Sequence, residues 1–100
     1  MITDKQFDDA FTAAGGWLIL TRFEDVYNWK EGKEELIYKM YAKGFDKSKS
    51  GTRTRVSSLL RIIEHKRSKD ALIKIRDSRA INRIHPDAYE MAKKLIEKYG

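Results

Sequence analysis

The residues whose types and spacing could recognise a ligand lie on the fourth of the helices predicted from the sequence, at about 52–66. Ser and Thr are poor residues for a helix interior, and a plain solvent-facing surface favours Glu, Lys, Gln and Ala instead. Hydroxyl groups can bond phosphates or base edges, and an arginine can form two hydrogen bonds to guanine. Such a face is typical of a nucleic-acid recognition helix. Four polar side chains share it at spacings of three or four: Thr54, Ser58, Arg61 and His65.

Basic side chains lie in the first turn of this helix and in the loop before it, where they could position phosphates together with the amides of the helix N-terminus. The competing interpretation is a plain solvated surface, on which the serines are incidental and Gly51-Thr52 is an N-terminal cap. The sequence leaves both interpretations open. The recognition interpretation assigns nucleic-acid binding to Lys47, Lys49, Arg53, Thr54, Arg55, Ser57, Ser58, Arg61 and His65.

Charge is segregated along the chain of 100 residues, whose formal net charge is +6. Residues 1–38 have a net charge of −4, whereas residues 39–83 hold 14 basic and 4 acidic side chains, a net charge of +10. The last 17 residues are neutral overall. A segregated field of this kind attracts polyanions, of which nucleic acid is the commonest, although a solvated lysine-rich surface has the same composition.

Capping signals and apolar stripes predict the elements that must position these residues. A capping box, Thr3 with Gln6, opens the first helix, and Gly15-Gly16 ends it. The apolar run 17–20 could be extended or helical, because a second capping box at Thr21 competes with an unbroken stripe; we favour the longer helix. The predicted helices are about 3–14, 17–31, 33–43, 52–66, 68–77 and 86–98, with a polar loop at 45–51.

The sequence therefore predicts an all-α fold, a single domain over residues 1–100 built as a compact array of about five or six short helices. Residues 33–67 could form a helix-turn-helix-like pair, although the loop of about seven residues exceeds the three or four of a tight one. The stripes predict burial of Phe7, Phe11, Phe23, Leu36, Ile37, Met40, Val56, Leu59, Leu60, Ile63, Leu72 and Ile75.

Several classes of function lack the residues they need. There is no cysteine, which excludes thiolate chemistry and fits a reducing cytoplasm, and the pair His65 and His85 lacks the further clustered ligands that a metal site needs. No nucleophile motif or phosphate-cradling glycine loop is present. We expect no enzyme activity, no cofactor, no metal, no signal peptide and no membrane segment, and a cytoplasmic location.

These observations favour a small, non-enzymatic nucleic-acid-binding protein of regulatory or accessory type, with DNA as the first choice of ligand. The alternative is a protein-interaction module that docks a protein partner through its acidic, aromatic-rich N-terminal third. A stacking platform for single strands needs aromatic rings interleaved with basic residues. The aromatic residues concentrate in the acidic third, so the sequence speaks against such a platform. The oligomeric state is not predicted.

Overall fold

The structure, a computed structural model, describes residues 2–44 and 46–99. Within these ranges the chain forms seven helices and no strand, which confirms the all-α prediction. None of the described helices is both long enough and apolar enough to span a bilayer. The helices are α1 (Asp4–Ala14), α2 (Gly16–Tyr27), α3 (Lys33–Ala42), α4 (Lys49–Glu64), α5 (Ser68–Arg76), α6 (Arg79–Ile84) and α7 (Ala88–Tyr99).

The first two helices form as their glycines and caps predict. The Thr3 hydroxyl accepts a hydrogen bond from the Gln6 amide, and the Gln6 side chain accepts one from the Thr3 amide, so the predicted capping box is present. Gly15 separates α1 from α2 at a φ of 83°, a conformation that favours glycine. The longer second helix is confirmed at its start, Gly16, but it ends at Tyr27 and not at the predicted residue 31, and the capping box predicted at Thr21 is wrong. The Thr21 hydroxyl lies inside α2 and donates to the Trp17 carbonyl at 3.1 Å.

The fourth helix begins earlier than predicted. Ser48 is its N-cap, because the Ser48 hydroxyl accepts a hydrogen bond from the Gly51 amide at 3.1 Å. The predicted loop at 45–51 is therefore wrong over residues 49–51, which are helical, and Phe45 lies outside the described residues. The Gly51-Thr52 cap is also wrong: the Thr52 side chain is buried within the helix and donates to Asp46 Oδ2 at 2.9 Å.

The sixth helix was not predicted, since residues 78–84 lack an apolar stripe long enough to signal one. Local hydrogen bonds and the packing of Ile81 against the core hold this helix. The Ser78 hydroxyl caps it by accepting from the Ile81 amide, and the Asn82 side-chain amide donates to the Ile75 and Arg76 carbonyls at the end of α5. The last helix begins at Ala88, two residues after the predicted start at Pro86.

The core is built around α4, which packs against α1, α2, α3 and α5. All but two of the predicted core residues are buried. Leu60 and Ile63 are only half-buried, and Ile62, with no exposed surface, takes their place. The prediction rotated α4 wrongly because helices cover it on more than one side, which a stripe of apolar residues does not reveal. Its buried side chains are Thr52, Val56, Leu59 and Ile62.

Candidate nucleic-acid interface

The outer side of α4 carries one continuous set of polar side chains. We call this set the α4 strip. Arg53 and Thr54 lie one turn beyond the helix start, and Arg61 lies two turns further along. Ser57 is half-buried, whereas the other members are exposed. The strip consists of Lys49, Ser50, Arg53, Thr54, Ser57 and Arg61.

One edge of the α4 strip lies beside α3. Arg53 donates two hydrogen bonds to the Glu34 carboxylate, at 2.6 and 2.8 Å. This contact lowers the pKa of Glu34 and raises that of Arg53, in both cases mainly through the hydrogen bonds between them. One turn earlier, the Lys49 Nζ atom lies 5.8 Å from the centre of the Tyr38 ring. The α3 edge therefore combines cations with an acidic residue and an aromatic ring.

The other edge of the α4 strip lies beside α1. Ser57, Ser58 and Arg61 line a shallow groove together with residues of α1, among them Asp9 and Ala10. Ser58 is half-buried there. Small side chains on both helices let their backbones approach closely, so α1 covers part of the face that was predicted to recognise a ligand. Arg61 remains exposed at the rim, on the same groove as Asp9.

Arg55 points away from the strip, into a polar cluster that joins α2 to α4. Its guanidinium lies 3.3 Å from Asp46, whose side chain is only 9% exposed. Arg22, a buried residue of α2, faces the same cluster, and burial is the main cause of its lowered pKa. Asp46 also accepts the hydrogen bond from Thr52. The ion pair between Arg55 and Asp46 therefore helps to hold the fold together, and Arg55 is not free to bind a ligand.

Arg22 and Asp46 were not among the site residues predicted from the sequence. Arg22 could have been found, because it lies three residues after Ile19 and four before Val26, on the apolar stripe of α2. A basic residue on such a stripe needs an acidic neighbour. Nothing in the spacing identifies Asp46 as that neighbour, since it lies in the loop before α4.

The remaining predicted site residues are spread over the surface. His65 is the C-cap of α4 and is half-buried, in a separate open pocket with Ile2 and Arg67. The Thr54 hydroxyl donates to the Ser50 carbonyl at 3.1 Å and so bonds its own helix. Lys47 is exposed in the loop before α4. The structure thus brings together Lys49, Arg53, Thr54, Ser57, Ser58 and Arg61 on α4, leaves Lys47 in the loop before this helix, and separates Arg55 and His65 from the set.

The described residues also bear on two alternatives, a metal site and a partner-docking surface. These residues contain no cluster of three or more potential metal ligands. His85 stacks on Trp17, with ring centres 3.8 Å apart, so this histidine packs against an indole. In residues 17–29 the large apolar side chains are buried or half-buried, apart from Tyr27, which is 43% exposed. The partner-docking alternative expects a large apolar patch there, and exposure does not favour it.

Comparison of the chain with protein-family models, with curated proteins and with solved structures found no match. Only the geometry and charge of the described surface therefore bear on its function.

Proposed function

We propose that this chain binds nucleic acid, with DNA as the first choice, through the α4 strip and Lys47. The observation that carries the proposal is the make-up of that strip: hydroxyl and cationic side chains follow one another along an exposed face of the central helix. Phosphate contacts in proteins come mainly from Arg, Lys and short polar side chains. A helix packed on four neighbours also offers these groups in a fixed arrangement.

Ion pairs within the fold reduce the charge that this surface can offer. Basic residues of the middle third pair with carboxylates of the N-terminal third, as Arg53 does with Glu34 and Lys74 with Asp8 at 2.9 Å. Lys47, Lys49 and Arg61 form no ion pair with another described residue. Within the proposed interface, a polyanion therefore meets these three cations without first displacing a carboxylate.

The covering of α4 by α1 bears on the mode of binding. A recognition helix places its base-reading side chains in the major groove, which requires a protruding face. Here α1 lies along one edge of the α4 strip and α3 along the other. We infer that the contact is made mainly to phosphates across an open face, with Arg61 as the residue best placed to reach further.

A salt titration tests the proposal with fluorescently labelled duplex DNA. Binding through phosphates must weaken as salt increases, because each neutralised phosphate releases counterions. We expect Arg61→Ala to reduce affinity and to make the slope of log affinity against log salt shallower by about 1. Lys93→Ala, on α7, removes the same charge from an exposed position outside the interface and is the matched control.

Two results would overturn the proposal. The first is no binding of the folded chain to DNA or RNA at low salt. The second is an equal loss for Arg61→Ala and Lys93→Ala, which would mean that net charge acts without a defined surface. A loss for Arg61→Ala that is larger on one DNA sequence than on random DNA would assign a base contact to Arg61.

A further inference from the structure

Tyr38 is the most exposed large hydrophobic side chain of α3, at 67%, and Tyr41 is also exposed, at 38%. The two residues are three apart on α3, so their rings lie on neighbouring positions of one helix face. Neither hydroxyl forms a hydrogen bond with a described residue, and neither ring stacks on another described aromatic ring. Nothing in the described part of the fold accounts for two large rings on this surface.

Two other tyrosines show what a structural role looks like in the same molecule. The Tyr99 hydroxyl donates to Glu24 at 2.8 Å and accepts from the Asn28 side chain at 3.2 Å. Its ring centre lies 4.6 Å from that of Tyr27. These rings join α7 to α2. Tyr38 joins nothing in this way, and its one ring contact among the described residues is with a cation, Lys49.

A cation lies beside one of the two rings, that of Tyr38, because α3 and α4 lie side by side in opposite directions. Glu34 on α3 forms an ion pair with Arg53 on α4. One turn further along α3, Tyr38 contacts Lys49, which lies one turn before Arg53 on α4. Lys47 is exposed in the loop that precedes α4. The fold thus places a ring of α3 beside a cation of α4.

We propose that this face binds single-stranded nucleic acid, with bases stacked on Tyr38 and Tyr41 and phosphates held by Lys47 and Lys49. The inference rests on the proposed function and narrows its ligand. Exposed aromatic rings beside a basic track are the usual means of binding single strands, since every base has a face on which a ring can stack. A duplex hides those faces between its base pairs, so it could use the cations but not the rings.

The test compares labelled oligonucleotides of about 12 nucleotides, a length within the usual site size. We would titrate oligo(dT), oligo(rU) and a duplex, and the first two distinguish DNA from RNA as the source of the strand. Tyr38→Ala should weaken single-strand binding by about 5- to 100-fold and leave duplex binding unchanged. Tyr38→Phe keeps the ring and should bind within about twofold of the original chain.

Tyr89→Ala is the matched control, because Tyr89 is a 47% exposed tyrosine on α7, away from this face. It should leave both affinities unchanged. Thermal melting would verify that Tyr38→Ala is folded, as expected for so exposed a side chain.

The outcomes separate this inference from the proposed function. If Tyr38→Ala binds single strands as well as the original chain does, while Lys49→Ala weakens all three ligands, stacking is wrong and phosphate binding stands. If Tyr38→Ala and Tyr89→Ala lose affinity equally, the face is also wrongly assigned. If the original chain binds none of the three ligands at low salt, both proposals fall, and the exposed rings would then belong to a protein-docking surface.

Discussion

The two edges of the α4 strip differ in the size of the side chains that lie between α4 and the neighbouring helix. At the α1 edge, Ser57 and Ser58 line a shallow groove together with Ala10 and other residues of α1. At the α3 edge, Arg53 and the residues around it keep long side chains at the surface. Small side chains on a helix face allow another helix or a ligand to approach it closely. In this chain α1 approaches Ser58, so Arg61 is the residue of the α1 edge that stays exposed to a ligand.

The charges differ between the edges as well. Arg61, at the α1 edge, forms no ion pair with a described residue, although Asp9 lies on the same groove. Arg53, at the α3 edge, is held by both oxygens of Glu34. A ligand phosphate can use Arg61 directly, whereas it must compete with a carboxylate for Arg53. We expect this competition to weaken phosphate binding at the α3 edge, where Tyr38 is available for stacking.

The largest expected effect tests which side of α4 is buried. Ile62→Ala should lower the free energy of unfolding by about 2–5 kcal/mol, since Ile62 has no exposed surface. Leu60→Ala should cost clearly less, because Leu60 is half-buried. Urea unfolding of both variants measures the difference. A larger loss for Leu60→Ala would rotate α4 back to the orientation predicted from the sequence, and both edges would have to be assigned again.

The sequence predicts most helices of this fold because their signals are local. The capping box at Thr3 and the apolar stripes of α1, α2 and α3 need no knowledge of distant residues. The rotation of α4 is different. The rotation depends on how many helices pack against α4, and the sequence does not reveal that number. Ile62 and Ile63 are both isoleucines, so their side chains do not indicate which of the two is buried.

The candidate site was predictable in composition but not in arrangement. The polar residues of α4 stand out by type, and most of them are exposed as expected. The approach of Tyr38 to Lys49 requires the packing of α3 against α4, which no spacing rule gives. Tyr38 belongs to the aromatic-rich first third of the sequence and Lys49 to the basic middle third, whereas the fold places the two side chains next to each other.

A second, smaller effect tests whether the α1 edge is closed. Ser58→Leu should lower the free energy of unfolding by about 1–2 kcal/mol, because a larger side chain would push α1 away from α4. Thr54→Leu is the matched control on the exposed part of the same helix and should change stability by less than about 0.5 kcal/mol. Denaturant titrations compare the two. Equal stability of both variants would show that the α1 edge is open enough to receive a ligand.

A still smaller effect on ligand affinity tests whether the Arg53–Glu34 ion pair at the α3 edge competes with a ligand. Glu34→Gln should free Arg53 for phosphate, raise nucleic-acid affinity by about three- to tenfold and steepen the salt slope by about 1. Glu35→Gln removes the same charge from the neighbouring exposed residue, which forms no ion pair with a described residue, and is the control. If both variants gain affinity equally, the Arg53–Glu34 pair does not compete with the ligand.

The pH dependence of stability tests the same pair without a ligand. The hydrogen bonds from Arg53 lower the pKa of Glu34 in the folded chain, so the folded state holds its carboxylate ionised more strongly than the unfolded state does. The stabilisation is therefore fully present above the ordinary glutamate pKa and is lost as the pH falls through the lowered one. Glu34→Gln should be slightly less stable than the original chain at neutral pH, and the two unfolding curves should converge on acidification. A difference that persists unchanged in acid would show that the charge of Glu34 contributes nothing to the contact.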